Sequence, residues 1–185
     1  MSTEHGRSPD SVELIDLEGA ARERAVPILI DSFVGIYRWH AKRTLRRVST
    51  VRGAEVAGEL AAVAMLERLV EGVGYVYYIA VASVHRRERL GQRLLDDALA
   101  RFQRDRIRIV YAAAEEDNEP SIALFRSRGF RIVERDERSY LEGGLGAKGL
   151  RTRMMLVSGE VLLGRFLTDP SSVAPRQDPD LSENR

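Results

Sequence analysis

The sequence predicts an α/β domain with a mixed central sheet and helices on both faces. An antiparallel N-terminal meander leads into a strand–helix–strand unit. Three observations predict this. Residues 50–56, 60–70 and 75–81 are rich in apolar, β-branched and aromatic side chains, and Ala57-Gly58 and Glu71-Gly72-Val73-Gly74 separate them as short turns. The period then changes, and Leu90, Leu94, Leu95, Ala98, Leu99 and Phe102 recur at helical spacing. Residues 107–114 return to a strand pattern, so segments 75–81 and 107–114 should lie parallel, joined by a right-handed crossover.

The other segments fit around this frame. Residues 1–10 are polar and read as a flexible tail, with the domain spanning 11–157. Val12, Leu14 and Leu17 frame a first strand. Residues 18–33 have helical spacing, but Pro27 must kink or divide them. Residues 36–48 read as a second helix, with Ile36, Trp39 and Leu45 as core contacts. Segment 75–81 should be buried on both faces, with Tyr77 and Tyr78 pointing to opposite sides. In the long helix, Asp97 precedes Arg101 by one turn, the favourable order for an ion pair. Asn118 can cap a further helix that has Pro120 in its first turn, Arg126 and Arg128 in its last, and Gly129 at its exit. Residues 131–134 start another strand. Gly143, Gly144, Gly146 and Gly149 mark a flexible connection, and 153–157 read as the last strand. Region 158–185 opens with the apolar Val161, Leu162, Leu163, Phe166 and Leu167, which pack on the core or on a second subunit, and ends in a disordered polar tail.

Composition narrows the function classes. The 185 residues suit one compact domain, and 44% hydrophobic with 31% charged residues is an ordinary globular balance. A net charge of +1 argues against nucleic acid and membrane as partners. With no cysteine, the chain has no disulfide, thiolate nucleophile or cysteine-ligated zinc. His5, His40 and His85 are scattered without carboxylates at ligand spacing, so no metal is expected. No apolar run is long enough to span a bilayer, and the N-terminus lacks a signal-peptide core, so the expected location is cytoplasmic.

The most informative stretch is Val84-His85-Arg86-Arg87-Glu88-Arg89-Leu90-Gly91-Gln92-Arg93. It joins a strand to a helix N-terminus, where free N–H groups and the helix dipole favour a phosphate. Arginines add bidentate contacts, and Gly91 permits close backbone approach. Taken alone, the stretch also fits an ordinary solvated loop. Its neighbours change that reading: a strand ending Ile79-Ala80-Val81 precedes it, and Asn118, Leu124, Gly129 and Phe130 follow at regular spacing.

In this order and spacing the segments resemble the GNAT superfamily of N-acetyltransferases, whose loop reads Arg/Gln-x-x-Gly-x-Gly/Ala. The resemblance is tight over about a third of the chain. It implies the GNAT fold, acetyl-CoA as co-substrate, no metal, and transfer of the acetyl group to a primary amine by direct attack in a ternary complex. The acceptor would be a small-molecule or peptide amine. The family pattern also admits a homodimer. It implies that backbone groups of Ile79 and Val81 pair with the pantetheine amide, that an N–H near Ala80 polarises the thioester, and that Arg86, Arg87, Arg89, Gly91 and Gln92 hold the pyrophosphate. Asn118 would fix the cofactor or the helix behind it.

Two departures stand out. Arg89 replaces the first loop glycine, and Phe125 replaces a tyrosine that protonates the leaving thiolate in many family members. Both favour an alternative reading, a non-catalytic acyl-CoA-binding sensor or interaction protein on the same fold. Tyr78 on the cofactor strand and Tyr140 on the late connection are the candidate catalytic residues. Glu115 and Glu116, at the end of the second cofactor strand, could act through water.

Overall fold

The computed structural model describes residues 12–134, 153–156 and 158–168. The strands are β1 (Val12–Asp16), β2 (Thr50–Val56), β3 (Glu59–Val70), β4 (Val73–Val81), β5 (Ile109–Glu115), β6 (Arg131–Ile132) and β7 (Glu160–Phe166). They form one sheet in the order β1-β2-β3-β4-β5-β7-β6. Among the pairs, β4 with β5 is parallel and the others are antiparallel. The helices are α1 (Val26–Ser32), α2 (Gly35–Leu45), α3 (Leu90–Arg104) and α4 (Glu119–Arg126). The expected fold class is therefore present.

α3 carries the best amphipathic pattern and behaves accordingly. Its six periodic apolar residues are all buried, each leucine or phenylalanine contributing about 1.5–3 kcal/mol. With α4 they cover one face of the sheet. Phe102 lies directly over Gly74 of β4, where a Cβ would come within 2.8 Å of its ring. The helix ends in paired backbone bonds, Ile107 N–H to Phe102 O and Arg106 N–H to Gln103 O, with Arg106 at φ +57° taking the left-handed position that glycine usually fills. The expected Asp97–Arg101 pair forms at 3.4 Å.

α1 and α2 cover the other face. Pro27 does divide the first helical region: a 3₁₀ segment, Gly19–Ala25, precedes it, and Pro27 sits in the first turn of α1. Ile36 and Trp39 are not core residues, being 56% and 55% exposed. Leu45, the third expected contact, is buried, and Ala41 and Thr44 complete the buried stripe of α2.

The C-terminal reading needs two corrections. Of the segment expected to be the last strand, 153–157, the described residues 153–156 form none: Arg153 and Met154 are in a helical turn, Met155 at φ +52° is left-handed, and Val157 lies outside the described residues. The last strand is β7, made from the apolar segment placed outside the domain. It sits between β5 and β6 inside the sheet, so the sheet runs past the boundary at Val157. Leu162 and Leu163 are buried there, on opposite faces.

Candidate active site

β4 and β5 pair over four residues and then part. The last pair is Val76 with Ala112. Beyond it, residues 77–81 of β4 have no β5 partner, while 113–115 of β5 continue only with β7. A wedge therefore opens beyond the carboxyl ends of two parallel strands. A cavity of about 520 Å³ occupies it, lined from β4, β5, α2, α4 and the α3 N-terminus.

The exposed edge of β4 has a defined polarity. Ala82 donates its N–H to Ala61 O of β3 at 2.9 Å. Backbone groups alternate along a strand, so Ala80 also turns toward β3, where it pairs with Val63. Ile79 and Val81 present their N–H and C=O groups to the wedge. The Val81 carbonyl accepts there from the Ser32 hydroxyl at 3.4 Å. The N–H expected near Ala80 is thus used within the sheet, and the groups free for an acyl donor are the N–H and C=O of Ile79 and the N–H of Val81.

The phosphate end follows from α3. Arg89, its N-cap, makes no side-chain bond to the first turn, so the leading N–H groups remain open to an anion. Arg89 has φ +60° and ψ +17°, and Arg87 has φ +70°. The arginine at the glycine position thus adopts the glycine conformation, and its exposed side chain points away from the core. Gly91 lies against β4 and α4, where a Cβ would stand 3.5 Å from Leu124, 3.6 Å from Ile79 and 3.7 Å from Val81. Of the sequence-derived cofactor residues, Ile79, Ala80, Val81, Arg86, Gly91 and Asn118 line this one cavity. Arg87, Arg89 and Gln92 lie in the adjoining loop and first turn of α3. The Asn118 side-chain oxygen accepts the Ser121 N–H at 3.2 Å, so that oxygen holds α4.

The opposite end is phenolic and acidic. The β3–β4 register shifts between Met65 and Leu66, leaving Tyr77 as an extra residue. This bulge overturns the expected alternation, because Tyr77 and Tyr78 both pack with the α1–α2 cluster. Tyr78 meets the Phe33 ring edge-on at 5.1 Å. Burial, followed by the charge of Glu160 and the neighbouring Tyr37 and Tyr77, pushes its phenol well above the ordinary value. It therefore keeps its proton near neutrality and can offer its hydroxyl as a hydrogen-bond donor. Tyr37 is pushed up to about 12 by burial and by the charges and hydrogen bonding of Glu160 and Glu115. Sequence reasoning missed Tyr37 and Glu160. Tyr140 lies outside the described residues. Phe125 lines the cavity and stacks edge-on with Phe130 at 5.1 Å, in the core.

The family model described as Acetyltransferase (GNAT) family matches residues 17–130. Among solved structures, the chain is similar to the ribosomal-protein-S18-alanine N-acetyltransferase of Escherichia coli, with a TM-score of 0.63 and 18% identity over 92% of this chain and 100% of that one. It is similar to the PaiA N-acetyltransferase of Thermoplasma acidophilum in complex with coenzyme A, with a TM-score of 0.63 and 11% identity over 84% and 99%. A Bacillus subtilis acetyltransferase in complex with CoA gives 0.62 and 16% over 85% and 100%. No curated protein matches.

Proposed function

Because the chain belongs to the acetyltransferase (GNAT) family, we propose that it moves the acetyl group of acetyl-CoA to a primary amine by direct attack in a ternary complex. The observation that carries this reading is the wedge, where the free edge of β4 meets the uncapped N-terminus of α3.

The wedge suits an acyl-CoA. The pantetheine arm adds to β4 like a short strand, its amides pairing with Ile79 and Val81. The pyrophosphate takes the N–H groups at the start of α3, with Arg86, Arg87 and Arg89 adding charge around it. A β4 N–H aimed at the thioester oxygen stabilises the oxyanion that forms on attack. The amine attacks from the face of Tyr37 and Tyr78: its nitrogen bonds to the acetyl carbon as its proton passes through water to Glu115, and the tetrahedral intermediate then collapses with cleavage of the C–S bond, CoA leaving as a thiolate that takes a proton from water.

Magnitudes show why Phe125 does not preclude turnover. A thiol with pKa about 8.5 leaves readily as the thiolate near neutrality, and the Tyr78 hydroxyl on the same face can hydrogen-bond it. The harder step is freeing the amine: a lysine-type amine at pKa about 10.4 lies roughly 4–5 kcal/mol from its reactive form at pH 7. Catalysis therefore depends more on the base than on the acid.

Steady-state assay of CoA-thiol release over a panel of amines tests the proposal. Amine-dependent release that falls at least tenfold in Glu115→Gln and Tyr78→Phe is expected. Tight acetyl-CoA binding without release for any amine would favour the sensor reading, for which Phe125 is the observation.

A further inference from the structure

Acidic and basic residues are nearly matched across the chain, 28 against 29, but they are not evenly spread. Residues 32–54 contain no aspartate or glutamate, and Arg38, Lys42, Arg43, Arg46, Arg47 and Arg52 all fall there. Two of these are engaged within the fold. Arg52 is buried against Asp97 and Asp16, and the Arg38 Nε donates to the Phe33 carbonyl at 2.8 Å. Arg43, Arg46 and Arg47 are exposed. The 3.7 Å pair of Arg46 with Glu23 joins two well-exposed side chains, an arrangement that contributes little.

The exposed residues of α2 form one stripe. Ile36, Trp39, Arg43 and Arg46 follow at steps of three and four, the spacing of a single helix face. The Arg43 guanidinium lies 5.4 Å from the centre of the Trp39 ring, which holds the aromatic and the first charge together. The stripe starts at the acceptor mouth, because Ile36, Tyr37 and His40 line the cavity. Arg43 and Arg46 lie ~10 and ~15 Å farther along the helix axis, a span that an extended chain covers in about three to five residues.

A face that is apolar beside the cavity and basic beyond it complements one kind of chain. Such a chain has an apolar side chain near its reacting amine and carboxylates a few residues later. The chemistry of the amine agrees. An α-amine near pKa 8 lies about one unit from its reactive form at pH 7, against over three for a lysine-type amine. A peptide terminus therefore asks least of a base that acts through water. Other polyanions fit less well. An anionic membrane takes up the apolar face of a helix, and that face of α2 is already buried in the core through Ala41 and Leu45. A nucleic acid would meet the same charge but gives no reason for the stripe to begin at the cavity.

We infer that the acceptor is the N-terminal amine of a peptide with acidic residues at about its fourth to sixth positions, docked along Ile36, Trp39, Arg43, Arg46 and Arg47. This rests on the transferase reading, but docking can be tested without the cofactor. Trp39 is the one tryptophan of the chain, so its emission reports on the stripe. The experiment is a fluorescence titration of the full chain with two eight-residue peptides that share their first three residues and a free N-terminus. One carries glutamates at positions four to six and the other glutamines. Both titrations are repeated on a double variant, Arg43→Gln with Arg47→Gln, whose melting curve shows that the fold is kept. The acidic peptide should change the Trp39 emission and bind at least tenfold tighter than its neutral twin, with an advantage that shrinks in ~0.5 M salt. The double variant should lose most of that advantage. With acetyl-CoA present, kcat/KM for thiol release should favour the acidic peptide by a similar factor. Equal affinity for the two peptides, or an advantage that survives the double substitution, overturns the inference. Tighter binding of a short DNA duplex or of phosphatidylserine vesicles than of the acidic peptide also overturns it. An acetyl-CoA titration on the same samples bears on the transferase reading alone, so the two failures are distinguishable.

Discussion

Arg89 and Gly91 carry most of what separates this site from an ordinary loop. Arg89 holds φ +60° without being glycine, a conformation that costs roughly 1–2 kcal/mol in an L-residue. Arg89→Gly should therefore raise the melting temperature by about 2–4 °C in a thermal scan. It should also weaken phosphate binding by removing a charge. Gly91→Ala meets only ordinary contacts near 3.5 Å, and alanine favours a helix interior. Stability should therefore be unchanged or slightly higher and acetyl-CoA affinity nearly kept, in line with the alanine that the loop pattern admits here; in Gly91→Leu the longer side chain fills the wedge and affinity drops at least tenfold (about 1.4 kcal/mol), and calorimetry with a melting curve reads the two effects separately. Both residues were legible in the sequence, since a strand-to-helix junction with arginines and glycine is a local pattern. Tyr37 and Glu160 were not. One lies on a helix of whose three expected core contacts only Leu45 is buried. The other lies in a segment placed outside the domain, and only the insertion of β7 beside β5 brings it to Glu115.

The strands and helices that hold the site depend on a charge network and a tyrosine face. Arg52 of β2 is 5% exposed and pairs with Asp97 of α3 at 2.7 Å and Asp16 of β1 at 2.9 Å. Asp97→Ala would leave a buried guanidinium with Asp16 as its remaining partner. The cost should be about 2–3 kcal/mol, below the ~3–5 of a fully broken buried pair, as measured by urea unfolding. On the opposite face, Tyr37, Tyr75, Tyr77 and Tyr78 are all held above the ordinary phenol value, first by burial. The sign follows from linkage. The folded chain keeps protons that the unfolded chain loses above pH ~10, so this stability is intact below that point and falls as pH rises through the folded values. Denaturation midpoints should decline steeply above pH ~10, and Tyr75→Phe should flatten the decline. The face itself was only half legible. The aromatic run at 75–78 announced a strand, but a one-residue bulge leaves no periodic signal in such a run, so the shared direction of Tyr77 and Tyr78 appears only in the pairing with β3.

The chain as a unit divides into a half that the sequence described well and a half that it did not. From β4 through α4, turns, helical period and capping are short-range signals, and the elements fall where they were expected. The acceptor side is assembled from α2, the ends of β5 and β7, and the turn at Arg153, segments far apart in the chain. Their meeting is a property of strand order, which no local pattern records. The same division separates the two ends of the proposed site: the cofactor end is built from short-range signals, whereas the acceptor end depends on strand order. The most direct measurement is at the cofactor end, a calorimetric titration of the full chain with acetyl-CoA and, for comparison, CoA. The wedge between β4 and β5 predicts saturable one-to-one binding of both at micromolar concentration, weakened by Gly91→Leu. No heat of binding, or binding indifferent to Gly91→Leu, would contradict the assignment of the wedge as the acyl-CoA site.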